Sequence, residues 1–139
     1  MRLLLSSLAT SILAVPLLGG TAQAEDCAKA QDQATMNECA GKDFYATDKK
    51  LNDAYKQIEG RLKDDAAGKK LLIDAQRAWV AFRDAECKFQ GGPPATAGTI
   101  YSMVVANCQT SLTKDRLKDF QTYLNCPEGE LNCPVPTAQ

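Results

Sequence analysis

The chain has no histidine. That removes the side chain best suited to general-base work near neutral pH, and with it the commonest zinc ligand. Charge of neither sign dominates, with 16 Lys and Arg against 17 Asp and Glu. A domain that binds nucleic acid shows a strong basic bias, and this one does not. The serines stand outside any G-x-S-x-G turn, and no C-x-x-C pair occurs. Carboxylates do lie close in sequence, at Asp64 and Asp65 and at Asp84 and Glu86. Neighbours at those spacings point apart on a helix, so neither pair makes an acid/base couple across a cleft. These absences argue against an enzyme and leave no cofactor-binding or metal site to assign.

What the chain does have is six cysteines: Cys27, Cys39, Cys87, Cys108, Cys126 and Cys133. None falls in the first 26 residues, and that N-terminus looks cleavable. Arg2 supplies a short positive region, Leu3 to Leu18 is almost uniformly apolar, and Ala22-Gln23-Ala24 is an A-x-A cleavage site. Pro16, Gly19 and Gly20 break the apolar run below the roughly 20 residues a membrane span needs. Residues 1–24 are therefore expected to be a signal peptide, and the mature protein to be periplasmic or secreted with no membrane anchor. Its remaining 115 residues hold 15 basic and 17 acidic side chains, one ordinary domain with a mild negative charge. An even cysteine count in an exported chain of this size reads as three disulfides.

Periodicity predicts helices throughout. Thr35-Met36-Asn37-Glu38 fits a capping box and is expected to open a short first helix, with Gly41 a possible break. Phe44, Leu51, Tyr55, Ile58 and Leu62 then recur at helical spacing until Asp64-Asp65. Leu72, Ala75, Trp79, Phe82 and Phe89 form a second stripe that must stop at Gly91-Gly92-Pro93-Pro94. A third runs from Thr99 to Leu124, and Thr110 to Thr113 offer hydroxyls that could bend it near Ser111. The expected fold is all-α, a small disulfide-stapled bundle of three main helices plus a short N-terminal helix. Its domain spans residues 25–125, followed by a Pro- and Cys-containing tail, 126–139. Local pairing suits this layout, as one of 15 possible connectivities: Cys27 with Cys39, Cys87 with Cys108, Cys126 with Cys133. The first pair would lie about 18 Å apart along one straight helix, beyond the roughly 7 Å Cα limit of a bridge. If the two pair, the arm before the helix must fold back onto it.

The densest chemistry lies between Ala75 and Cys87, which holds Arg77, Arg83, Asp84, Glu86 and Trp79, the lone tryptophan. Trp79 and Phe82 read as core anchors, and truncating Trp79 is expected to cost about 3–5 kcal/mol. Arg83 reads two ways, as a structural ion pair or as a guanidinium facing a partner's carboxylates.

At these residues the chain resembles a known family, the LprI-type (lysozyme inhibitor) domains of bacterial exported proteins. The resemblance rests on Met36-Asn37-Glu38-Cys39, Asp48-x-x-Leu51-Asn52-x-x-Tyr55, Ala75-Gln76-Arg77-Ala78-Trp79 and Phe82-Arg83-Asp84-x-x-Cys87. Gly98-Thr99-Ile100, Cys108 and Leu112-Thr113-x-x-Arg116 extend it, so that it covers Cys27 to Leu124. No lipid-anchor cysteine follows the signal, unlike the lipoprotein that gave the family its name, and Cys126 and Cys133 fall outside the match. The resemblance implies a helical, disulfide-bearing domain whose partner is a lysozyme-like protein. An inhibitor would occlude the muramidase cleft with a rigid loop. The candidate partner-binding residues are Arg83, Lys88, Gly92, Pro93 and Pro94, around a loop at 90–99 tethered by Cys87 and Cys108. The other reading is a non-catalytic envelope interaction or chaperone-like module, which an exposed apolar patch would favour.

Mass spectrometry of the exported protein should find Glu25 at the N-terminus and all six cysteines oxidised. An intact signal, a lipid adduct or two free thiols would contradict this reading.

Overall fold

The structure is a computed structural model that describes residues 27–127 and 129–137; the expected signal peptide, 1–24, lies outside the described residues. A 3-10 turn at Cys27–Lys29 leads into α1 (Gln33–Arg61). Then follow α2 (Ala66–Gly91), the single turn α3 (Pro94–Ala97), a 3-10 turn at Gly98–Ile100, and α4 (Tyr101–Leu124). The fold is all-α with three main helices, as the sequence predicts.

The start of α1 differs from the expectation. Its N-cap is Asp32, whose carboxylate accepts from the Thr35 amide at 2.9 Å and from the Thr35 hydroxyl at 2.6 Å. Those bonds hold the Asp32 carboxyl below the usual carboxylate range. Thr35 is thus inside the helix, because an ionised acid three residues upstream is the better acceptor for the free N–H groups. Gly41 breaks nothing: one helix of 29 residues runs through it. The short helical element at the N-terminus is instead the turn at Cys27–Lys29, which folds back so that Cys27 meets Cys39 with Cα atoms 5.7 Å apart.

Asp65 caps α2, accepting from the Gly68 amide at 2.9 Å. The helix ends where Gly91 and Gly92 precede two prolines, and Gly92 takes φ 73°, a left-handed conformation suited to glycine. α4 runs uninterrupted through Ser111, and the Thr110 hydroxyl donates to the Ala106 carbonyl at 2.8 Å within the helix.

The apolar core is small and lies toward one end. Leu51, Ala54 and Ile58 of α1, with Leu62 at its C-cap, close on Phe120 of α4, and Val135 of the tail inserts among them. Cys126 pairs with Cys133 to shape that tail. Toward the other end the buried residues are small or polar (Ala40, Thr47, Ala106, Thr110 and Thr113), and disulfides Cys27–Cys39 and Cys87–Cys108 supply the cross-links.

The stripe read along α2 merges two faces. Leu72 and Trp79 turn inward and are half-buried against the core. Phe82 is not a core anchor: its side chain is 55% exposed, and Phe89 is 81% exposed. The inward register at that level belongs to Arg83 and Cys87, both buried. An apolar template misses a helix face that carries an arginine at its centre.

Truncating Phe120, which is fully buried, to Ala should cost about 3–5 kcal/mol. The same change at Phe82 should stay within about 0.5 kcal/mol. Urea unfolding of both variants, followed by circular dichroism, checks the contrast.

Candidate functional site

Two features stand out from the helices upward: a buried arginine between them and a pinned loop at one end. Arg83 sits in the middle of α2 with its side chain 8% exposed. Its Nη1 donates to Asp48 of α1 at 2.9 Å and to the Thr113 hydroxyl of α4 at 3.4 Å. Its Nε donates to Asp84 at 2.9 Å, and Gln109 of α4 donates to the same carboxylate oxygen at 3.1 Å. The guanidinium carbon lies 5.1 Å from the ring centroids of both Phe44 and Trp79. A planar fork with aromatic faces above it and carboxylates at its edges suits arginine and not lysine. The side chain is held inside the protein, with both Nε and Nη1 bonded. Arg83 therefore cannot face a partner, and its candidacy as a binding residue is corrected to that of a bolt between three helices.

Other residues from the recognisable motifs do similar work. Asn37 of α1 donates to the Thr99 carbonyl at 2.9 Å. Arg116 of α4 donates to Gln76 of α2 at 3.2 Å, with its guanidinium 4.6 Å from the Phe120 ring. Tyr55 is partly buried beside Glu59, and burial together with that carboxylate raises its phenol above the ordinary value. The motifs that looked chemical hold helices together.

The loop is built differently. Cys87 and Cys108, with Cα atoms 5.4 Å apart, close the base of the α2–α4 hairpin. Gly91 lets the two helices touch there: a Cβ on it would sit 2.7 Å from Val105 and 2.9 Å from Tyr101. Beyond it the Pro93 carbonyl accepts from the amides of Thr96 and Ala97, both at 3.0 Å, and from the Thr96 hydroxyl at 3.2 Å. The Asn37 bond to Thr99 then pins the far side of the loop to α1. Pro93, Pro94, Ala95 and Thr96 are exposed at the tip, Gly92 is half-buried, and Lys88 is exposed at the base. Of the five candidate residues, the structure brings Lys88, Gly92, Pro93 and Pro94 to one end and places Arg83 inside.

Two surfaces escaped the sequence reading. One is a groove of about 740 Å³ at the opposite end, between Ile58 of α1 and Leu62 at its C-cap, Leu71 and Ala75 of α2, Tyr123 of α4 and Val135 of the tail. No local signal announces it, because the tail residue that walls it lies far from α2 in sequence. The other is the exposed apolar face of α2, whose even spacing of Leu71, Ala75, Ala78, Phe82, Ala85 and Phe89 was legible.

Replacing Arg83 with Met should destabilise the domain by about 2–3 kcal/mol, less than a fully buried pair would give because Asp48 and Asp84 keep some solvent. A double-mutant cycle of Arg83→Ala with Asp48→Ala should give a coupling on the order of 1 kcal/mol. Additive losses in urea unfolding would contradict the geometry.

A protein of Rhizobium meliloti (strain 1021), named only "Uncharacterized protein R02472", is 32% identical over 115 residues, covering 75% of this chain and 82% of the relative. No solved structure matches the chain. The family model described as "Lysozyme inhibitor LprI" matches residues 24–120, from the residue before Glu25 to the buried Phe120. The chain belongs to the LprI family.

Proposed function

We propose that this protein is an exported, non-catalytic inhibitor of a lysozyme-like muramidase, and that it acts by seating the pinned tip around Gly92, Pro93 and Pro94 in the enzyme's cleft. Membership of a family described as lysozyme inhibitors is the observation that carries the function. The site is argued from physics. A muramidase cleft holds two carboxyl groups in different protonation states, lined up to receive a sugar chain. A blocking element must keep its shape while it displaces water there, and order already present reduces the entropy lost on binding.

This tip is ordered at three points: the Cys87–Cys108 bridge, the bonds to the Pro93 carbonyl, and the Asn37–Thr99 bond. Two prolines restrict its backbone further. The exposed Lys88 ammonium beside it supplies a cation for the cleft acids. The three disulfides suit an oxidising compartment, and no helix among the described residues is long and apolar enough to cross a membrane. Export to the periplasm or beyond would bring the protein to its target. The reading as a non-catalytic envelope interaction module has one observation in its favour, the exposed apolar face of α2.

Titration of a c-type lysozyme with mature protein should inhibit it. Replacing Gly92-Pro93-Pro94 with a Gly-Ser stretch should weaken inhibition at least about tenfold, through the cost of ordering the loop on binding. Lys88→Glu should weaken it more at low salt than at high salt. Both variants should keep the wild-type circular dichroism spectrum. Wild type inert against every lysozyme tested would overturn the function; full inhibition by both folded variants would move the site off the tip.

A further inference from the structure

The exposed face of α2 has an arrangement that the inhibitor reading leaves unused. Leu71, Ala75, Ala78, Phe82, Ala85 and Phe89 recur by alternating steps of four and three, and all six are exposed. The large members are strongly so, at 71% for Leu71, 55% for Phe82 and 81% for Phe89. α2 meets α4 through a different register: Gln76, Arg83, Asp84 and Cys87 make its contacts there. The apolar face is thus unpartnered among the described residues.

An alternation of four and three is the period of a helix–helix seam, about 3.5 residues per turn. It matches another helix better than a flat sheet or a bilayer, which would favour a broader stripe. The order of the residues identifies the helix. The steps read the same in both directions, so reversing the helix lays Leu71 on Phe89, Ala75 on Ala85, and Ala78 on Phe82. The bulky ring at the centre then faces a small residue. Alanine at three of the six positions lets two helix axes approach closely.

We infer that this face is the interface of a two-fold symmetric homodimer in which the α2 helices of two copies pack antiparallel and Phe89 of each seats against Leu71 of the other. The groove beside Leu71 supports that register. Leu71 and Ala75 form one of its walls, with Ile58, Leu62, Tyr123 and Val135 completing it. Phe89 is 18 residues from Leu71, or about 27 Å along the helix. A two-fold axis midway between them brings each exposed ring to the mouth of the other copy's groove, which is the reciprocal contact an isologous dimer requires. The exposed parts of three large and three small side chains amount to roughly 500 Å² per copy, or about 1,000 Å² in all, at the lower edge of specific association. The dimer should therefore be reversible, with a dissociation constant in the micromolar range.

Sedimentation velocity of the mature protein from about 1 to 500 μM should show monomers converting to dimers. Phe89→Lys and Leu71→Glu, both at exposed positions, should each weaken the dimer at least about tenfold, with unchanged circular dichroism. Combined in one chain, the two changes place opposite charges across the antiparallel seam and should recover part of the loss. A monomer throughout the concentration range would overturn the proposal, even if this face bound lysozyme or lipid vesicles instead. So would a dimer indifferent to Phe89→Lys, or a double variant weaker than both single ones.

Discussion

A buried guanidinium organises this bundle. Arg83 projects from α2 into the space where three helices meet, and each of its bonds reaches a different element: Asp48 on α1, Thr113 on α4, and Asp84 on its own helix. Two aromatic rings from α1 and α2 lie against it. An enclosed guanidinium carries five N–H donors and no acceptor, so the surrounding acceptors are obligatory. Among the described residues no buried side-chain polar atom lacks a hydrogen-bond partner. The same logic recurs along the bundle axis. Arg61 of α1 donates to the Leu124 carbonyl at the C-terminal end of α4 at 2.7 Å, and to the Pro136 carbonyl of the tail at 3.4 Å. Arg116 reaches back from α4 to α2. Each main helix contributes one arginine to the joint with a neighbour.

This division of labour explains the placement of everything else. The apolar core around Leu51, Ile58 and Phe120 stabilises one end of the bundle without directional bonds. Past Arg83 the interior residues are too small to form such a core, and the disulfides Cys27–Cys39 and Cys87–Cys108 take over. Covalent links tolerate an exposed, glycine- and proline-rich connection at that end better than side-chain packing would. The tip can be solvent-facing and rigid at once, which is what a cleft-filling element needs.

Much of this was legible from residue spacing. The three long helices and the stop at Gly91-Gly92-Pro93-Pro94 follow from periodicity, and the local pairing of the six cysteines, one of fifteen the sequence allows, is the one the structure shows. The cap at Asp32 was missed because a capping box at Thr35 looks complete in sequence, and only the carboxylate's contact with Thr35 reveals the competing start. Phe82 was misplaced because an apolar template prefers a phenylalanine to its neighbour Arg83, although the arginine is the buried one. The motif residues drew attention as chemistry and proved to be joinery. The groove depends on a tail residue, Val135, brought back by a disulfide outside the family match.

If the pinned tip is what meets the target, as proposed, the motif residues serve to build its scaffold. Hydrogen–deuterium exchange of the mature protein, alone and with an excess of a c-type lysozyme, tests it directly. New protection should be confined to residues 88–100, with α1, α4 and the rest of α2 exchanging as in the free protein. Protection gained along the groove or the outer face of α2, with residues 88–100 unchanged, would contradict it.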